Sequence, residues 1–278
     1  MVPAAIFRPA GRAVLGAALI LGAGCGSPDA GVSVGGGGGS GGLSSAVGNA
    51  TSPYLVLDLV AGTVRSAAAV DDLATGSAYR TTALVFRRVH GLGDDYFLAV
   101  FETTQEQWTR LGGAQPWTAL PSAVVGSGAV AADHPAFALS YADIQAVLSA
   151  YAATHGLHLG VPSTAQWRFA CAAGGSGAYA WGDATDRATV AANAVVAETL
   201  GGAPGPRSVG ALSANGGGFY DMHGNVWEWT SPGTGVSGGS WHDGIARATT
   251  QGQAGFADAQ ITDLTAHALI GVRLVLQP

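Results

Sequence analysis

Phe219-Tyr220-Asp221-Met222-His223-Gly224-Asn225-Val226-Trp227-Glu228-Trp229 is the most specific stretch in the chain. It sets two carboxylates seven residues apart around a glycine and among large aromatics. Aromatic side chains bury large areas, so acids in the same run need cations, metal ions or hydrogen bonds around them. The sequence on either side is rich in Gly, Trp and polar turns, with few long regular elements. It predicts an irregular α+β domain whose loops pack around aromatic anchors, and core is the default place for Trp181, Trp227, Trp229 and Trp241.

Upstream, regular structure is better signalled. Tyr54–Val60 and Thr82–Val89 carry the β-branched and aromatic residues of strands. Thr103-Thr-Gln-Glu106 reads as a capping box opening a helix through Trp108 and Leu111, stopped by Gly112-Gly113. Ser140 caps a second helix, in which Ile144, Val147, Leu148 and Tyr151 form one apolar stripe before Gly156. Ser163-Thr-Ala-Gln166 is another capping box, and it places Trp167, Ala170 and Cys171 on one helical face. Cys171 is therefore read as a small buried hydrophobe, with no His, Lys or Arg placed by sequence to make it a thiolate.

Composition narrows the function classes. Of 278 residues 48% are apolar, enough for a core, while 11% are charged. All 12 basic residues are Arg, against 18 acids, for a net charge of -6. No basic stripe exists for phosphate neutralisation, so nucleic acid is excluded as a partner. Two cysteines make neither a disulfide framework nor a Cys-rich zinc site. A chain without lysine also has no phosphate-binding loop of the Gly-rich, Lys-ended type, and no Gly-x-Ser-x-Gly elbow occurs.

The first 24 residues have the pattern of a signal peptide: two arginines, no acid, then a short apolar run at Ala13–Ala23. That run is shorter than the roughly 20 residues needed to span a bilayer. Leu21-Gly-Ala-Gly-Cys25 resembles the lipobox of bacterial lipoproteins, which implies lipid attachment at Cys25. Residues 25–52 are then a Gly/Ser-rich tether, reaching on the order of 30 Å as a flexible coil. Gly26 after the cysteine resembles the default outer-membrane class. The expected location is the bacterial cell envelope, held to the membrane by a lipid anchor, with one domain from 53 to 278.

The stretch at 219–229 resembles the signature of the sulfatase-modifying factor family, which includes the formylglycine-generating enzymes. Phe97–Trp108, Gly160–Trp167, Tyr179–Asp183, Gly238-Gly-Ser-Trp241 and Gly271-Val-Arg-Leu274 are similar to other family elements, in family order. The resemblance implies a fold related to C-type lectins. It also implies a calcium ion held by the side chains of Asp221 and Glu228 and the carbonyls of Gly224 and Val226, a donor set of the hard-oxygen kind calcium takes. The alternative for Glu228 is a buried acid paired with an arginine such as Arg273. A second family calcium site would use Asn193 and the Ala194 carbonyl, but no acid follows where the family has one.

The family's best-known chemistry uses two cysteines that bind Cu(I), a metal soft thiolates favour. Here Asp243 or a neighbour stands at the first position and the second falls among Ala246 to Thr249, with no cysteine after Cys171. Copper-dependent conversion of a substrate cysteine is therefore not expected. The charged anchors of the family are also missing at Gly160, Thr164, Gln166 and Ser237. Two readings follow. One is a calcium-stabilised binding or scaffold domain for an unknown protein or glycan. The other is a divergent enzyme with Ser240, His242 and Asp243 as catalytic candidates, or with His223, His242 and Asp243 as a non-haem iron set.

Overall fold

The computed structural model describes residue 47, residues 51–252 and residues 267–276. The proposed signal peptide, Cys25 and most of the tether lie outside the described residues. Within them, two antiparallel hairpins start a six-stranded sheet. β1 (Tyr54–Asp58) pairs with β2 (Thr63–Ala67) and with β3 (Ala83–Val89), which pairs with β4 (Tyr96–Ala99). The first turn is fixed by Asp58, whose Oδ1 accepts the N–H groups of Val60 and Ala61 at 2.8 and 2.9 Å. Both faces of the inner strands are buried: Leu55, Leu57, Leu84, Phe86 and Phe97 enter the main core, while Val56, Ala83, Val85, Tyr96 and Leu98 pack on the opposite face.

Helices then cover this sheet. α1 (Gln105–Arg110) begins one residue later than the sequence implies, because the capping box closes on Thr104 and Gln107 rather than Thr103 and Glu106. Gln107 turns inward to carbonyls of Tyr79 and Ala83, while Glu106 faces outward and pairs with Arg110 at 2.7 Å. A short α2 (Ser122–Val125) leads to α3 (Tyr141–His155), capped by Ser140 and ended by Gly156 in the left-handed region. Ile144, Leu148 and Tyr151 are buried as the stripe predicts, with Val147 at its edge. α4 (Thr164–Ala172) has the expected box between Ser163 and Gln166, and it buries Trp167, Ala170 and Cys171. α5 (Arg187–Asn193) is capped by Asp186.

The last third of the domain is loop-rich. Here β6 (Trp227–Thr230) pairs antiparallel with β7 (Gly235–Ser237) and parallel with β8 (Ile270–Gly271), forming a second, three-stranded sheet. Four residues on, β9 (Val275–Leu276) inserts between β4 and β5 (Leu159–Gly160) of the large sheet. One short segment, 270–276, therefore serves both sheets, with Arg273 at the crossing. Val47 departs from the tether reading: it is 1% exposed and packs into the main core.

Candidate functional site

The signature loop coils because three of five successive residues adopt positive φ: Asp221 (56°), Gly224 (88°) and Asn225 (59°). Asn and Asp tolerate that region better than other side chains, and Gly224 is required there. A Cβ on Gly224 would stand 2.1 Å from the Val195 carbonyl oxygen, which also accepts the Asn225 N–H at 2.8 Å. Coiling points the loop's polar groups inward. Asp221 Oδ2 accepts Gly210 N–H at 2.6 Å, and the Asn225 amide donates to Glu102 Oε2 at 2.5 Å while accepting Arg207 N–H at 2.9 Å.

β6 then carries Glu228 into the core. Arg273 grips it through Nε at 3.1 and 3.0 Å and through Nη2 at 2.7 Å, and Trp167 Nε1 adds a bond of 2.6 Å to Oε2. The same guanidinium donates to the carbonyls of Ala99 and Tyr220. Glu228 and Arg273 are both fully buried. Such a forked pair supplies geometric specificity as well as attraction.

Two more acids share this interior, Glu102 and Asp221, and their burial disfavours charge. Burial, aided by the charges of Asp221 and Glu228, pushes the Glu102 carboxyl well above the usual range. Asp221 is pushed up to about 6 by burial, against the pull of the Gly210 N–H and of Arg273. Glu102 satisfies its oxygens with Asn225 and the Val226 N–H. Glu102 lies within the family-like stretch Phe97–Trp108, to which the sequence assigns no site role. Its signal was an acid directly continuing the apolar run Phe97–Phe101.

The residues do not fit the calcium ions that the family signature implies. Each Glu228 oxygen already receives two donors, and a guanidinium sits against it. That leaves Asp221 and two carbonyls, about half the six to eight oxygens calcium takes. At the second place, Ala194 O is occupied by the Thr199 hydroxyl and Asn193 donates to Thr189 O. In the loop downstream Arg207 donates to the carbonyls of Leu200, Ala203, Gly205 and Pro206 at 2.6–3.4 Å. Internal guanidinium groups thus supply positive charge at both places. An ion held at 100 times its dissociation constant would add about 2.7 kcal/mol, and its removal would lower melting by several degrees. Excess EDTA is accordingly expected to leave the thermal unfolding curve in place, and a shift of that size on adding EDTA would contradict the assignment.

Asp243, read from the sequence as standing at or beside the place of the first copper thiol, is a structural acid. Its Oδ2 accepts Ser240 Oγ at 2.5 Å and Trp227 Nε1 at 2.8 Å. Ser240 is buried with its hydroxyl spent on that bond, and His242 is exposed beside Trp241. His223 is elsewhere. Its Nδ1–H donates to the Ala248 carbonyl at 2.6 Å, so Nε2 is the acceptor for Ala180 N–H at 3.1 Å. Burial lowers its pKa to about 4, and the ring is neutral. The iron set His223, His242 and Asp243 is therefore not assembled, and among the described residues no three His, Cys, Asp or Glu converge on a metal position. Cys171 is sealed in the core 3.6 Å from His223 Nε2, with burial holding its thiol far above the usual range.

Beside His223 opens a cavity of about 140 Å³, walled by Trp181, Phe219, Met222, Asp221, Asn193 and Ser213, among others. Trp181 is only half-buried, unlike Trp227, Trp229 and Trp241, and stacks on Tyr179 at 4.9 Å.

A loop-rich α+β core in which a coiled Gly-Asn turn feeds a buried Glu–Arg pair defines a domain of the formylglycine-generating-enzyme type. The chain belongs to the sulfatase-modifying factor family: residues 73–277 match its "sulfatase-modifying factor enzyme 1-like domain". It is 35% identical over 111 residues to the formylglycine-generating enzyme of Mycobacterium tuberculosis, a match covering 36% of this chain and 34% of that enzyme. The matched part thus spans about a third of that relative. In fold it is similar to Treponema denticola variable protein 1, with a TM-score of 0.58, 16% identity, and 71% and 96% of the two chains covered. PvdO of Pseudomonas aeruginosa follows at 0.51, with 16% identity, 76% of this chain and 89% of that one.

Proposed function

We propose that this chain is a lipid-anchored protein of the bacterial envelope whose sulfatase-modifying factor domain is a recognition or scaffold domain rather than a copper oxidase. The observation that carries this reading is Asp243. At or beside the place of a metal-binding thiol stands a carboxylate already committed to Ser240 and Trp227, and a carboxylate is a poor ligand for Cu(I). The domain's one cysteine, Cys171, is sealed in the core beside His223. The divergent-enzyme alternative has less to rest on, since Ser240 Oγ is hydrogen-bonded to Asp243 and no three His, Cys, Asp or Glu converge among the described residues.

Incubation of the purified protein with Cu(I), oxygen and a sulfatase-type cysteine peptide should leave the peptide mass unchanged. Appearance of the aldehyde product would refute the reading. The anchor is tested separately. Cys25→Ala should abolish incorporation of labelled fatty acid and move the protein out of the membrane fraction, whereas label retained in the variant would place the lipid elsewhere.

A further inference from the structure

Asp221 is a buried carboxylate, 6% exposed, that makes no ion pair among the described residues. Three acids share its surroundings, Glu102, Asp221 and Glu228, against two guanidinium groups, Arg80 and Arg273. Neither guanidinium reaches Asp221. Arg273 spends its N–H groups on Glu228 and on the Ala99 and Tyr220 carbonyls, and Arg80 on carbonyls of Ala74, Val209 and Gly210. Asp221 is thus a carboxylate that no guanidinium contacts, and it is the acid of the three that lines the 140 Å³ cavity.

The cavity wall offers matching acceptors. Asp221 uses Oδ2 for Gly210, Asn193 uses its amide N–H for Thr189, and the remaining Asp221 Oδ1, Asn193 Oδ1 and Ser213 Oγ form no hydrogen bond among the described residues. Trp181 and Phe219 supply apolar faces beside them, and His223 is a neutral neighbour with both ring nitrogens engaged. The chemistry selects among ligands. An anion meets a carboxylate, and a neutral sugar leaves Asp221 without a contacting cation. Calcium would need about twice the three oxygens present. A primary ammonium has three N–H donors on a compact head, and aromatic faces favour both its charge and its alkyl stem.

We propose that this cavity binds a primary alkylammonium group, with Asp221 taking the charge, Asn193 and Ser213 accepting the other N–H donors, and Trp181 and Phe219 flanking the stem. The chain contains no lysine, so the group comes from another molecule, either a free amine or a lysine side chain of a partner polypeptide. The assignment names a ligand class for the recognition role proposed above and rests on that role.

Calorimetric titration of the full-length protein with n-butylammonium, with capped lysine (N-acetyl-lysine methylamide) and with 1-butanol tests it. Saturable binding of n-butylammonium is expected, on the order of 1 mM for so small a ligand, with none for 1-butanol. Asp221→Asn keeps the shape, tolerates the positive φ and retains an acceptor for Gly210, yet should weaken binding at least about tenfold. Ser213→Ala, at an exposed position, should weaken it about threefold without disturbing the fold. Capped lysine binding as well as butylammonium identifies a lysine side chain as the source, and binding of butylammonium alone identifies a free amine. Equal binding of 1-butanol, no saturation, or wild-type affinity in both variants would overturn the proposal. Aldehyde formation from a cysteine peptide in amine-free buffer would overturn only the non-catalytic reading, so the two fail separately.

Discussion

Arg273→Met is expected to lower the melting temperature by roughly 6–20 °C, or to prevent folding. Removing one member of a buried ion pair costs about 3–5 kcal/mol, because the partner charge stays buried without compensation. For a domain of this size each kcal/mol corresponds to about 2–4 °C. Here the loss is compounded, since Glu102 and Asp221 lean on the same guanidinium. Two backbone carbonyls, Ala99 and Tyr220, lose their donor as well. The double variant Arg273→Met with Glu228→Met should recover much of the loss, because apolar replacement of a whole buried pair is often neutral. Thermal unfolding of the two single variants and the double variant closes the cycle. A single variant that melts with the wild type would show that the pair does not hold the two sheets together.

Gly224→Ala should cost roughly 2–6 kcal/mol, the sum of about 1–3 for a left-handed non-Gly residue and about 1–3 for overpacking. The added methyl meets a backbone oxygen at 2.1 Å and Val196 Cγ1 at 3.0 Å, and neither the Val195 carbonyl nor the loop can retreat without losing the Asn225 bond. Gly174→Ala is the control. Its φ is 84°, and a methyl there would have nothing within 4 Å, so only the conformational cost of about 1–2 kcal/mol applies. Chemical denaturation of both variants separates the two terms, and equal losses would mean that the close approach of Val195 carries no energy.

Local features of the fold were legible in the sequence, and non-local ones were not. The caps at Ser140 and Ser163 and the buried face of Trp167, Ala170 and Cys171 depend on neighbours three or four residues away, which spacing reveals. The register of α1 was missed because Thr103 and Thr104 offer adjacent capping boxes, and inward carbonyls at Tyr79 and Ala83 select Gln107 for the interior. The position of β9 between β4 and β5 joins residues more than 100 apart and has no local signal. Within the site, the sequence left Glu228 open between calcium and Arg273, and the fold brings Arg273 to it. Arg207 was invisible for the same reason: its role lies in four carbonyls whose convergence exists only once the loop has closed.

The crossing of both sheets by residues 270–276 has a temporal consequence. Among the described residues β5 pairs only with β9, β8 completes the small sheet, and Arg273 between them is the counter-charge of Glu228. A chain emerging N-terminus first therefore carries Glu228 without its counter-charge until Arg273 follows, 45 residues later. Neither sheet can be completed before residues 270–276 are available.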